Sequence, residues 1–266
     1  MSFLKGLWSE ETADYLEKII RSKAGRAAFD FDNTLIYGDF GEYLMDRITE
    51  NLLFPVSEET PKKFQDPQNA SKILSKADRE EVCQLIQKEY SFMLKCFGLE
   101  SAYRWTSFLF SGWTDSKMQE YAQKHWESSL QSGIVRVFDE MQTLLDLLRQ
   151  NGWEIWIVTA SPEPAIRAVA HHFLIPEDSV FGMKLEKNSE GFGTERISEP
   201  YTYGDGKVRR FLSETGHLPD LSFGDSINDF PLLQNSRSGV FFDRGNEETL
   251  NRIRTLKHIQ IQKSFS

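Results

Sequence analysis

The chain has 266 residues and a formal charge of −9, with 39% hydrophobic and 27% charged residues. That allows one large domain or two small ones around a full core, in an ordinary soluble composition. The acidic balance speaks against a nucleic-acid partner and an anionic membrane surface, and no apolar run approaches the length of a membrane span. The opening stretch MSFLKGLWSEETADYLEKII has no continuous apolar segment of the secretory kind. Two cysteines, Cys83 and Cys96, fit neither a disulfide framework nor a metal spacing. A cytoplasmic protein with reduced thiols is expected.

The first helix is predicted from Ser9 as N-cap, Glu10 and Glu11 in the first turn, and a stripe of Leu16, Ile19 and Ile20, with Gly25 as the stop. A short apolar run, Ala27 to Phe29, follows and ends in two aspartates one residue apart, Asp30 and Asp32. From about 39 to 134 no strong strand pattern occurs. Helices are predicted near 39–53, 78–97, 99–110 and 115–130, with a proline-containing loop at 55–72. Trp105, Phe108, Trp113, Tyr121 and Trp126 recur there at roughly helical spacing. That pattern reads as the core of a helical unit, or as a set of rings able to cage an organic cation.

From residue 135 helices and strands alternate. FDEMQTLLDLLRQNG is a helix with Met141, Leu144, Leu145 and Leu148 on one side, and WEIWIVTAS is an apolar strand. A helix is predicted over 163–173, then a strand in SVFGMKLEK that EGFGTERIS can pair with. GKVRRFLSETG is a helix, LSFGDS a strand, NDFPLLQNS a short helix and GVFFD a strand. A final helix is expected over 246–260, with QKSFS fraying beyond it. The alternation implies βαβ units and an α/β fold: a doubly wound, Rossmann-like parallel sheet with a second, smaller helical cap domain. The expected boundaries are 1–38 and 135–266 for the core and 39–134 for the cap.

Ligands of open parallel sheets bind at the carboxyl ends of the strands. The strand ends here carry Asp30 and Asp32, then Thr159, Ala160 and Ser161, then Asp225 and Asp229, and Lys207 opens a helix between the last two. Each has an ordinary reading taken singly: turn or cap aspartates, a β-branched strand residue, a solvated lysine. Together, several acids at one sheet edge would repel one another unless a hard cation such as Mg²⁺ lay among them. A hydroxyl and an ammonium beside them would seat a phosphoryl group.

The order and spacing of these pieces resemble the haloacid dehalogenase superfamily. Its Asp-x-Asp-x-Thr is Asp30-Phe31-Asp32-Asn33-Thr34, its strand ending in Thr is IWIVTA with Thr159, its helix lysine is Lys207, and its Gly-Asp-x-x-x-Asp runs from Gly224 to Asp229. The resemblance implies a Mg²⁺-dependent phosphomonoester hydrolase. Asp30 would be the nucleophile that forms an aspartyl-phosphate, and Asp32 the acid and base. Thr159 and Lys207 would stabilise the phosphoryl oxygens. The metal set would be Asp30, Asp32 through its backbone carbonyl, Asp225 and Asp229. An acid at position 32 sets the chain apart from the dehalogenase branch, whose halide needs no proton.

The helical insert after the first motif resembles the cap of the phosphoserine phosphatase group, which implies a small phosphorylated metabolite as substrate. In phosphoserine phosphatases an acid at the position of Asp39 receives the substrate's amino group, and the stretch DFDNTLIYGDFG resembles the wording of phosphocholine phosphatases more closely still. Asp39 reads equally as the N-cap of the first insert helix. Ser161 is a second candidate substrate contact. The TASPEP stretch departs from the glycines that phosphoserine enzymes carry there. An amino-alcohol phosphate such as phosphocholine or phosphoethanolamine is therefore the leading expectation. A phosphoserine or general metabolite phosphatase, or a phosphotransferase, is the alternative, and a catalytically silent phospho-ligand-binding relative stands behind both.

Overall fold

A computed structural model describes Leu4, residues 6–51, Leu53, Phe64, residues 71–72 and residues 79–265. The central strand β1 (Arg26–Phe29) is the apolar run before the two aspartates. Its Ala27, Ala28 and Phe29 have no exposed surface. Successive side chains leave a strand on opposite faces. Accordingly Ala27 and Phe29 join the large core on one face, while Ala28 packs with Val158, Phe211 and Leu232 on the other.

Six parallel strands form the sheet in the order β10-β9-β8-β1-β4-β5, where β4 is Glu154–Pro162, β5 Val180–Met183, β8 Leu221–Gly224, β9 Ser238–Asp243 and β10 Ile259–Lys263. Phe29 pairs with Ile157 on one side and Phe223 on the other, and the rings of Phe29 and Phe223 stack with centroids 4.2 Å apart. Because β1 is flanked by both later strands, its carboxyl end lies where the two halves of the sheet diverge. That crevice is where such sheets place ligands.

Helices cover both faces. Among them are α1 (Glu10–Ser22), capped by the Ser9 hydroxyl on the Thr12 N–H, and α5 (Asp139–Gln150), which buries Met141, Leu144, Leu145 and Leu148. Between β1 and α5 the chain makes β2 (Ile36–Tyr37), helices α2 (Phe40–Glu50), α3 (Arg79–Ser107) and α4 (Asp115–Gln131), and β3 (Arg136–Val137), which pairs antiparallel with β2. Gly98, at φ 82°, breaks α3 where two helices were predicted to meet. Phe64, Ser71 and Lys72 apart, the loop predicted at 55–72 lies outside the described residues; Ser71 and Lys72 are helical.

Four of the five insert aromatics, Trp105, Trp113, Tyr121 and Trp126, pack as core, and Phe108 is half-buried. Trp126 meets Phe40 edge-on at 5.0 Å, Trp113 meets Tyr121 at 5.2 Å and Phe64 meets Trp105 at 5.8 Å. Such pairs contribute about 0.5–1.5 kcal/mol each beyond area burial. None of the five lines the cavity described below, so the caging role raised for them from the sequence does not hold.

After β4 come α6 (Glu163–Val169), the hairpin of β6 (Leu185–Lys187) with β7 (Gly193–Ile197), α7 (Asp205–Thr215), α8 (Phe230–Asn235) and α9 (Glu247–Ile253). The last segment corrects the sequence reading. The final helix ends at Ile253 rather than 260, and Ile259–Lys263 becomes the edge strand β10 beside β9. The alternation Ile-Gln-Ile-Gln has a strand's period of two. Nor do residues 262–265 fray: Phe265 is buried against Trp8, 4.8 Å away, and the Gln262 side chain takes the Ser9 N–H.

Candidate active site

Asp30 stands one residue past β1, its N–H bonded to the Phe223 carbonyl of the neighbouring strand at 3.0 Å. The chain then turns back on itself. Asn33 adopts φ 56°, a left-handed conformation that asparagine tolerates, and its N–H and side-chain oxygen bond across to Gly38. This turn brings Asp32 under the start of α2. Its two oxygens accept from the Phe40 N–H at 2.7 Å and the Ser161 hydroxyl at 2.5 Å. Ser161 and Thr159 lie within β4, which runs on to Pro162 instead of ending at them, with a register irregularity between Val158 and Pro162. The Thr159 hydroxyl accepts from the Ser161 N–H at 3.0 Å.

Lys207 is the third residue of α7 and has no exposed surface. Its ammonium donates to Asp30 and Asp229, both at 2.6 Å. Burial alone would lower its pKa, but the charges of Asp229 and Asp30 hold it above the usual lysine value. Asp229 is equally enclosed. Its second oxygen accepts from the N–H groups of Asp225 and Ser226 and from the Ser226 hydroxyl. Asp229 is thus both a helix-start cap and the lysine's partner. Gly224 makes this possible, because a Cβ there would strike the Asp229 side chain.

Asp225 closes the group. One of its oxygens accepts from Arg244 at 2.9 Å, while burial and the Asp229 charge push its carboxyl up to about 7. Burial, then the Asp229 charge, drives the Asp30 carboxyl well above its ordinary value against the pull of Lys207. Burial also raises Asp32, against the hydrogen bonds from Ser161 and Phe40.

Asp30, Asp225 and Asp229 can each point a carboxylate oxygen so that the three lie within 4.8 Å of one another. The donor set fits a hard divalent cation: all oxygen, buried, and carrying more negative charge than Lys207 and Arg244 offset. The Asp32 carboxylate is outside that trio.

One cavity of about 660 Å³ opens over these groups. Asp30, Asp32, Asp39, Thr159, Ser161 and Asp225 line it, whereas Lys207 and Asp229 lie beneath its floor. Asp39 is the N-cap of α2, one oxygen accepting from the Glu42 N–H at 2.7 Å, and it also faces the cavity. Burial, then the charge of Asp32, raises its carboxyl well above the ordinary value. The cap reading of Asp39 therefore holds, and the same residue borders the cavity.

The sequence reading missed Arg244, Glu42 and the wall tyrosines Tyr37, Tyr43 and Tyr103. Arg244 follows the strand GVFFD, so the strand-end rule could have found it. Tyr103 carried no local signal. Of the insert's arginines, Arg47 reaches the cavity but pairs with Glu50 and covers the Tyr43 ring, and Arg104 covers Tyr201.

The same fold occurs in solved structures. The chain overlies a conserved, functionally unknown protein from Anaerococcus prevotii DSM 20548 with a TM-score of 0.76 at 20% identity, over 96% of this chain and 91% of that one. It also matches a phosphoserine phosphohydrolase-like protein from Francisella tularensis (TM-score 0.53, 18% identity, 88% and 94% covered). A third match is a phosphoserine phosphatase solved as an analogue of its phospho-aspartyl intermediate (TM-score 0.54, 14% identity, 91% and 95% covered). No curated protein matches the sequence. The sequence profile of the haloacid dehalogenase-like hydrolases matches residues 27–234, which span every motif residue from Asp30 to Asp229, and the chain belongs to that family.

Proposed function

We propose that the protein is a Mg²⁺-dependent phosphomonoester hydrolase working through an aspartyl-phosphate on Asp30, with a small amino-alcohol phosphate as substrate. The carrying observation is the buried Asp30–Lys207–Asp229 set beside Asp225, with Asp32 two residues on, under one cavity. Asp30 and Asp225, with the backbone carbonyl of Asp32, would hold the cation, and Asp229 would fix Lys207. When bound, Mg²⁺ supplies positive charge to the carboxylates and to the phosphoryl oxygens.

In the first step an Asp30 oxygen attacks phosphorus and the ester oxygen leaves, taking the proton of the Asp32 carboxyl. The raised pKa of Asp32 favours that protonated form. In the second step Asp32, now a carboxylate, accepts a proton from the water that attacks the aspartyl-phosphate. Inorganic phosphate leaves and Asp30 is regenerated. Lys207, already within 2.6 Å of Asp30, neutralises charge at the point of attack, and Thr159 offers its hydroxyl to the phosphoryl group.

The insert, residues 39–134, would act as a cap over a core of residues 1–38 and 135–266, keeping water from the intermediate. The place of Asp39 on the cavity lining supports an ammonium on the alcohol, since a carboxylate there would otherwise oppose a phosphate dianion. A cytoplasmic metabolite pool suits such a substrate.

The test is phosphate release from phosphocholine, phosphoethanolamine, phosphoserine and an aryl phosphate, with and without Mg²⁺, beside Asp30→Asn. Turnover dependent on both Mg²⁺ and Asp30, with an aminated ester preferred, is the expected result. A metal-independent activity, or one that survives Asp30→Asn, would overturn the mechanism.

A further inference from the structure

A narrow recess opens from the main cavity between α2, the second half of α3 and the end of β4. Asp39, Glu42, Tyr103, Ala160 and Ser161 line both spaces. Ser161 also hydrogen-bonds Asp32, the proposed proton donor to the leaving oxygen, so the recess begins beside the atom where the alcohol departs. An alcohol released from phosphorus therefore has this recess as an adjoining space.

Its chemistry is one-sided. The described lining carries two carboxylates, Asp39 and Glu42, and no lysine, arginine or histidine, while Met45, Tyr90, Phe110 and Pro162 supply apolar walls. Two of the wall tyrosines of the main cavity already have a guanidinium over the ring, Tyr37 from Arg136 at 4.2 Å and Tyr43 from Arg47 at 5.4 Å. Tyr103, which borders the recess, is not in such a pair among the described residues. Position 41 is glycine, and a Cβ there would strike the Ser161 hydroxyl at the recess wall. The room is small, about 30 Å³. One water-sized group needs roughly 10–15 Å³, so the recess takes about two such groups. A terminal CH₂–NH₃⁺ is two heavy atoms; a trimethylated ammonium adds three more carbons. Met45 and Phe110, which bound the space, are both buried in the packed core.

We infer that this recess is the subsite for the leaving alcohol and selects a primary aminoalkyl group over an N-methylated one, with Met45 setting the size limit. The inference rests on the amino-alcohol reading above and refines it: phosphoethanolamine is the better substrate, phosphocholine the poorer.

The experiment measures kcat/KM for phosphoethanolamine, its N-methyl and N,N-dimethyl derivatives, phosphocholine and the uncharged propyl phosphate. In the wild-type protein the values fall along the series, at least about tenfold from first to last. Met45→Ala enlarges the recess and raises the phosphocholine-to-phosphoethanolamine ratio at least about tenfold, while Met45→Leu, of similar volume, leaves the ratio unchanged. A flat or rising wild-type series overturns the inference and leaves the amino-alcohol reading standing. So does an unchanged ratio in a Met45→Ala protein that still melts cooperatively. If Met45→Ala fails to fold, the wild-type series decides by itself. If no aminated ester exceeds propyl phosphate, the amino-alcohol reading falls and the inference falls with it.

Discussion

The floor of the cavity and its insert wall are built on opposite plans. On the floor, Lys207 and Asp229 are wholly enclosed: Lys207 donates to Asp30 and Asp229, each more than 20 positions away, and Asp229 also accepts from Asp225 and Ser226 across a tight turn. On the wall, Asp39 is half-buried, Glu42 is exposed, and the hydrogen bond holding Asp39 is local to its own helix start. A floor locked from every side suits steps that any substrate shares. A wall held by helix packing can change its residues without disturbing that chemistry. On the proposed function the difference separates reaction from recognition, and substitutions in each region can break or sharpen the separation.

The largest effect is expected from Asp30→Asn. It removes the proposed nucleophile while keeping a hydrogen-bonding amide beside Lys207, so turnover of every ester should fall about 10³-fold or more with the fold retained. Phosphate release and a thermal melt check the two halves of that statement.

Next comes Lys207→Met. It leaves Asp30 and Asp229 buried without their shared ammonium. Removing one partner of such a pair costs about 3–5 kcal/mol. Denaturant unfolding of the metal-free protein should show that loss, and added Mg²⁺ should recover part of it.

A pH effect follows from Asp225, which the native protein holds at about 7 against 3.8 ordinarily. Between these values the native state binds more protons than the unfolded chain, so the stability of the metal-free protein falls as pH rises from about 4 to about 7. Mg²⁺, which requires the ionised carboxylate, should raise the melting temperature more at pH 8 than at pH 5.5. Melts across that range with and without the metal are the check.

The smallest expected effect is on the wall and divides the two roles of Asp39. Asparagine caps a helix about as well as aspartate, whereas alanine costs about 1 kcal/mol. Asp39→Asn should therefore keep the melting temperature while lowering kcat/KM for aminated esters about tenfold relative to an aryl phosphate. Asp39→Ala should lower both.

The floor was legible in the sequence because it stands at strand ends. β1, β4 and β8 were visible as apolar runs; Asp30 and Asp225 are fixed by where β1 and β8 finish, while Thr159 lies inside β4, which runs on to Pro162. Even the ordinary cap reading of Asp229 survives, since the same carboxylate caps a turn and holds Lys207. The wall was not legible in the same way. Tyr103 reaches the cavity because α3 breaks at Gly98 and its second half swings over the sheet edge, and no local pattern records which helix face ends up there. The five aromatics at helical spacing were the stronger local signal, and Trp105, Trp113, Tyr121 and Trp126 among them turned out to be packing. The edge strand β10 was missed because a capped helix begins at Asn246 and its pattern was carried past Ile253, although Ile259 and Ile261 alternate as a strand does.

The central claim is that Asp30 carries the phosphoryl group. The most direct measurement mixes protein, Mg²⁺ and a turned-over ester, quenches in acid within a single turnover, and locates the phosphoryl group by peptide mass spectrometry. Phosphorylation of the peptide holding Asp30, absent from Asp30→Asn, is the expected result. Steady turnover with no phosphorylated protein, or a phosphoryl group on any other residue, would contradict it.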